Sequence, residues 1–230
     1  MAVLCRRNRR STACQNDRLG KAEAAGGRGR LGRLARRGRA TAAGRGAKSG
    51  WGVTPELFAA SARPPTLIGA VAVPTFLRRE TRWTGPVPKS FASVHGKPPL
   101  QFEGEPVWAA FIVLRLLARA GWQGVWVKNW KGQAFWRDVM DPVELPADQA
   151  ALFARIAQNS RDMRLETRKA AMGRWGGGCW DVFAWRGEEV LFVESKQHKQ
   201  DCVRETQRIW LDSARAEGVS GFAIIESKAD

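Results

Sequence analysis

Between Trp180 and Ser195 the chain holds two strand-like apolar runs separated by one Gly-X pair, Gly187-Glu188. Such a pair predicts a tight type II′ hairpin. With those residues as the turn, Val182 faces Val193, Phe183 faces Phe192, Ala184 faces Leu191 and Trp185 faces Val190. The next pair outward breaks the apolar series and sets Asp181 opposite Glu194. Like charges across a ladder destabilise a sheet, so a fold keeps them mainly where something positive sits between them. Lys196 lies two residues beyond Glu194 and therefore on the same face.

One face thus presents Asp181, Glu194 and Lys196 together, the pattern of a divalent-metal site with an adjacent cation. Hard oxygen ligands select Mg²⁺ or Mn²⁺ over zinc, and the backbone carbonyl of Ser195 can add a ligand. A metal held there polarises a phosphoryl oxygen and lowers the pKa of a bound water. Lys196 can orient that water or stabilise charge on the phosphorus. The alternative is an ordinary solvated patch, since Glu-x-Lys alone is common.

The flanking sequence predicts an α/β domain. Pro106 suits the first turn of a helix and Gly121 its end, with an almost wholly apolar stretch from Val107 to Leu117 between them. Gly124–Lys128 reads as a strand, 131–146 as a loop, and Ala147–Gln158 as a helix able to continue to Lys169. Gly176-Gly177-Gly178 lacks the Gly-Lys-Ser/Thr of a phosphate loop and reads as a hinge into the strand Trp180–Trp185. Glu189–Ser195 is the next strand, Val203–Ala216 an amphipathic helix and Gly221–Glu226 a last strand. Gln207 falls on the apolar face of that helix, where a polar group needs a partner; a partly exposed helix-edge glutamine is the alternative. Lys199, and Arg204 and Arg208 four residues apart, are candidate contacts for a DNA backbone or simply solvated charges.

The segment Cys179-Trp180-Asp181-Val182-Phe183, then Val193-Glu194-Ser195-Lys196, then Glu205 to Leu211, resembles a VRR-NUC domain, a branch of the PD-(D/E)XK, restriction-endonuclease-like nucleases. The similarity is close from Gly176 to Glu226 and looser back to Glu105. It implies an α/β core running helix, three strands, helix, strand, with residues 131–175 as a helical insertion that can offer a specificity or dimer surface. It also implies that Asp181 and Glu194 bind the metal and that Lys196 is the catalytic lysine. Gln207 would point back to the site, and Glu105 would be the acid of the first helix that completes metal coordination. An acid near a helix start is favourable in any case, and Glu103 competes for the role. Two departures stand out. Trp180 replaces the name-giving proline, and Gly218-Val219-Ser220-Gly221-Phe222 stands where the Val-Arg-Arg stretch is expected.

The implied activity is endo- or exonucleolytic hydrolysis of DNA, on branched, flapped or otherwise structured substrates of repair, recombination or phage replication. Compact members of the family resemble junction resolvases, so a homodimer is expected. The rivals are a catalytically silent nucleic-acid-binding module of the same fold and a structural or protein-interaction domain.

Charge and cysteine content bear on the rest of the chain. Residues 1–50 carry 14 Lys/Arg against Asp17 and Glu23, which is +12 of the net +16. They show no hydrophobic period and read as a disordered basic arm. Its Arg/Gly/Ala bias fits nucleic-acid binding, a solubilising tail, an organellar transit segment or an over-extended start. Residues 51–102 hold eight of the 11 prolines from Pro55 to Pro99 and read as a proline-rich lead-in or linker, with one short strand at Thr66–Phe76. The folded nuclease domain is expected over 103–230. Four scattered cysteines without a CxxC pair, and two histidines, argue against a disulfide scaffold or structural zinc. No apolar run approaches a membrane span, and Met1–Leu4 is too short for a signal-peptide core. A reducing, cytoplasmic setting is the expectation.

Overall fold

A hairpin apolar on both faces needs strands beside it and cover above and below. The computed structural model describes residues 53–87, 99–128, 134–138, 141–166 and 178–230, all within the unit Gly50–Asp230. After a 3-10 turn at Glu56–Phe58 come β1 (Ser61–Ile68), β2 (Val71–Arg82), β3 (Leu100–Phe102), β4 (Glu105–Val107), α1 (Ala109–Arg119), β5 (Gln123–Lys128), β6 (Ala134–Asp138) and β7 (Asp141–Val143). Then follow α2 (Ala147–Glu166), β8 (Val182–Arg186), β9 (Glu189–Gln197), α3 (Glu205–Ala216) and β10 (Gly221–Ala229). Among the described residues the protein is a mixed α/β structure. Its strands form one ten-stranded mixed sheet in the order β4-β3-β2-β10-β9-β8-β5-β6-β7, with β1 paired to β2.

The β8–β9 hairpin has the expected register, from Val182↔Val193 to Trp185↔Val190. Gly187 takes φ +58, and Glu188 is not among the described residues with positive φ, as a type II′ turn requires. β5 pairs antiparallel with β8, and β10 runs parallel to β9. α3 makes the connection that a parallel pair needs.

Alternation sorts the side chains to two cores. Val182, Leu191, Val193 and Ile225 pack under α1. Phe183, Phe192, Phe222 and Ile224 pack under α2 and α3. On the second face Phe192 lies between Phe183 (ring centroids 5.0 Å apart) and Phe222 (6.0 Å), both stacked.

Three expectations change. Residues 51–102 are not a linker throughout, because β1 and β2 join the central sheet and β2 runs parallel to β10. Pro64, Pro65 and Pro74 all fall at the register shift between Arg63 and Thr66, the kind of irregularity where a residue lacking an N–H costs no ladder bond. The segment 131–146 is not a loop: β6 and β7 extend the sheet beyond β5. The first helix starts at Ala109 rather than Pro106, because residues 105–107 pair with Leu100–Phe102.

No helix among the described residues is long and apolar enough to cross a membrane. Phe192→Ala should lower the unfolding free energy by about 3–5 kcal/mol, the cost of a large aromatic cavity. Leu67→Ser, at a position 73% exposed, should change it by less than about 0.5 kcal/mol. Urea denaturation reads both, and equal losses would misplace this core.

Candidate active site

The backbone ladder between β8 and β9 stops at Val182↔Val193. The next rung is built from side chains. The Asp181 N–H donates to Glu194 Oε2 at 3.2 Å, and the Ser195 N–H donates to Asp181 Oδ2 at 3.1 Å. On its other side Asp181 is fixed by its carbonyl, which accepts from the Val127 N–H at 2.8 Å. The two carboxylates are therefore neighbours at the end of the hairpin, as its register requires.

Glu194 and Lys196 are 4% and 7% exposed. Lys196 Nζ lies 2.9 Å from Glu194 Oε1 and donates to Gln207 Oε1, also at 2.9 Å. Gln207 Nε2 donates to Glu194 Oε1 at 2.5 Å, which closes a buried triangle. Gln207 is the third residue of α3, and its Oε1 also accepts the Arg204 backbone N–H at 3.0 Å. It caps the helix and bridges Lys196 and Glu194 with one amide. The polar residue on the apolar face is thus engaged at both its amide oxygen and its amide nitrogen.

Burial, and then the Asp181 carboxylate, push Glu194 up to about 8 against the opposing pull of Lys196 and Gln207. Burial, and then the Glu194 and Asp181 carboxylates, hold the Cys179 thiol well above its ordinary value, so it is no nucleophile.

Two residues before the strand fix its approach. Trp180 is fully buried, donates from Nε1 to the Gln207 carbonyl at 3.1 Å and meets Phe222 edge to face. It packs beneath the Glu194–Gln207 contact. Gly178 has φ +119, and a Cβ there would lie 2.5 Å from the Thr206 carbonyl oxygen. Glycine is needed here for close approach to α3, not as a hinge; Gly176 and Gly177 lie outside the described residues.

Asp181 and Ser195 also line a cavity of about 170 Å³ walled by Trp108, Phe111 and Trp126. Aromatic contacts among these three rings, at 5.4–6.5 Å, shape its wall. This cavity is not legible from the chain alone, because its walls come together from α1, its N-cap and β5.

Other anticipated residues lie elsewhere. Glu105 is in β4, not in the first helix. It is exposed and ion-paired with Arg115 at 3.0 Å, and Arg115 also holds Asp138. Glu103 pairs with Arg119. Neither joins Asp181 and Glu194 in a larger ligand cluster: among the described residues no three His, Cys, Asp or Glu side chains are grouped to hold a metal. Arg208 is engaged by Glu205 and Asp212 at 2.6 and 2.7 Å. Arg204 stands at the N-cap, before the helix, and Lys199 is exposed in the turn after β9.

No protein-family model, curated protein or solved structure matches this chain.

A raised Glu194 value makes stability pH-dependent. Between the ordinary carboxylate value and about 8 only the folded chain holds this proton, so stability falls as pH rises through that window. In EDTA the melting temperature should drop by about 5 °C or more from pH 5 to pH 8, and Glu194→Gln should flatten the decline. An unchanged slope in that variant would put the titrating group elsewhere.

Proposed function

We propose that this chain is a metal-dependent nuclease hydrolysing DNA phosphodiester bonds on a restriction-endonuclease-like core of the VRR-NUC kind. The observation that carries the reading is the carboxylate pair at the end of the hairpin, with Lys196 2.9 Å from Glu194. The order of elements supports it. α1, β5, β8, β9, α3 and β10 follow the sequence helix, three strands, helix, strand, with β6, β7 and α2 inserted after β5.

A divalent cation fits this donor set. Two adjacent carboxylates, one of them pushed up partly by the other, form a site that added positive charge would relieve. Asp181, Glu194 and the Ser195 carbonyl would hold the ion. So few protein ligands suit Mg²⁺ or Mn²⁺, which keep waters and take substrate phosphates as further ligands. When bound, such an ion supplies Lewis-acid polarisation of the phosphate and a more acidic water.

The chain's own groups do the rest. An ammonium has three N–H donors. Lys196 directs two toward Glu194 and Gln207 and keeps one for a water or a phosphate oxygen. Gln207 positions Lys196 and Glu194 relative to each other and ties both to the start of α3. The cavity beside Asp181 and Ser195 leaves room for water at the carboxylate pair. Branched or structured DNA is the substrate class that the family resemblance implies, and a homodimer the assembly.

A second reading, a catalytically silent nucleic-acid-binding module, is favoured by one observation. Glu194 and Lys196 are almost wholly buried and bonded to each other, which leaves little of either for a substrate.

Cleavage by the full chain separates the two readings. Labelled duplex, single-stranded, flap and four-way-junction DNA should be cut with Mg²⁺ or Mn²⁺ and left intact in EDTA. Asp181→Asn and Lys196→Ala should each cost about 100-fold or more. Binding without cutting under every metal supports the silent module, and cutting that survives both substitutions would place the chemistry elsewhere.

A further inference from the structure

The face that carries Glu194 and Lys196 continues across the sheet. β9, β10 and β2 run parallel, so Lys196, Glu226 and Leu77 form one row. Two residues farther out on the same face stand Lys228 and Arg79, paired with each other by register. The cover thins along this direction. On β2, Val73 and Thr75 are buried, Leu77 half-buried and Arg79 exposed; on β10, Ile224 is buried, Glu226 half-buried and Lys228 exposed. The candidate site therefore lies where the core gives way to a basic rim.

The acid within these rows is already engaged. Glu226 Oε2 lies 2.7 Å from His198 Nδ1, and the His198 N–H donates to the Ser227 carbonyl at 3.0 Å, which holds this turn against β10. Asp201 accepts the Gln197 N–H, and beyond the strip the Asp230 N–H donates to the Glu80 carbonyl at 3.0 Å. Lys228 and Arg79 form no ion pair among the described residues. Arg78, on the opposite face, is by contrast locked to Glu80 and to the Phe58 carbonyl. Two cations side by side on neighbouring strands repel, and an anion between them removes that cost.

We propose that Lys228 and Arg79 bind the phosphate backbone of the DNA strand whose scissile phosphate lies at Lys196. Two strand spacings and one two-residue step separate Lys196 from Arg79, roughly 12 Å. That distance equals about three base-pair steps of rise along a duplex axis. The identity of the ligand rests on the nuclease reading; the strip itself rests on the register.

The test is DNA binding in EDTA, where no metal-dependent cutting can occur, by the full chain over a salt series. Arg79→Glu with Lys228→Glu is compared with Arg137→Glu and Arg215→Glu, an equal charge reversal at exposed positions on β6 and the far end of α3. The first pair should weaken binding about tenfold or more and reduce the salt slope by about two. The control pair should change affinity less than about threefold, and thermal melting checks that both variants are folded. Equal losses in the two pairs, or no loss in the first, overturn the strip. A chain that shows strip-dependent binding yet never cuts DNA with metal sinks the nuclease reading and leaves the strip standing; one that binds no DNA in EDTA yet cuts it with metal sinks the strip and leaves the nuclease reading standing.

Discussion

The buried contact of Glu194, Lys196 and Gln207 organises the centre of this molecule. Burying these groups costs several kcal/mol for each one that stays charged, before any return. The return here is a closed set of bonds in which one glutamine amide receives Lys196, donates to Glu194 and caps α3. Because Gln207 also accepts the Trp180 indole through its carbonyl, the chain approaching β8, the end of β9 and the start of α3 are all fixed through one residue. Apolar replacements of similar volume would serve stability as well or better.

The same region explains why the strands part at Asp181. A regular pair Asp181↔Glu194 would set two carboxylates face to face in a ladder. The protein instead ends the ladder one residue early and lets each carboxylate accept a main-chain N–H across the gap. Trp180 and Gly178 make that possible. A bulky ring fills the space beneath, and a residue without Cβ stands where a Cβ would lie 2.5 Å from the Thr206 carbonyl oxygen. Sheet geometry and site geometry are consequently one problem with one solution.

Much of this was legible because it is local. The hairpin register follows from Gly187-Glu188 and four apolar pairs, and Gln207 betrayed itself as a polar residue on an apolar helix face. The misreadings share a cause: they depend on what lies next to a segment in space. Pro64, Pro65 and Pro74 look like a linker until β1 and β2 are seen to place them at a single irregularity. Glu105 looks like a helix-start acid until Leu100–Phe102 claims residues 105–107 as a strand. Arg79 lies more than a hundred residues from Lys196 in the chain. Only the parallel pairing of β2 with β10 brings it beside Lys228 and onto the same face.

The insertion between β5 and β8 shows how far sequence-level partition can mislead. Read along the chain, it interrupts an otherwise compact core and invites treatment as a separable surface. In space, α2 presents Gln149, Phe153, Ile156 and Ser160 as one buried stripe. Phe153 contacts Phe183 at 5.4 Å and Trp210 at 5.0 Å, and Arg155 and Asn159 grip Glu217 at the end of α3. α2 and α3 therefore cover the Phe183–Phe192–Phe222 stack together. Removing α2 would uncover that stack and unseat the helix that carries Gln207. Any specificity that this insertion confers must come from its solvent-facing side, because its inner side is part of the core that holds the carboxylates in place.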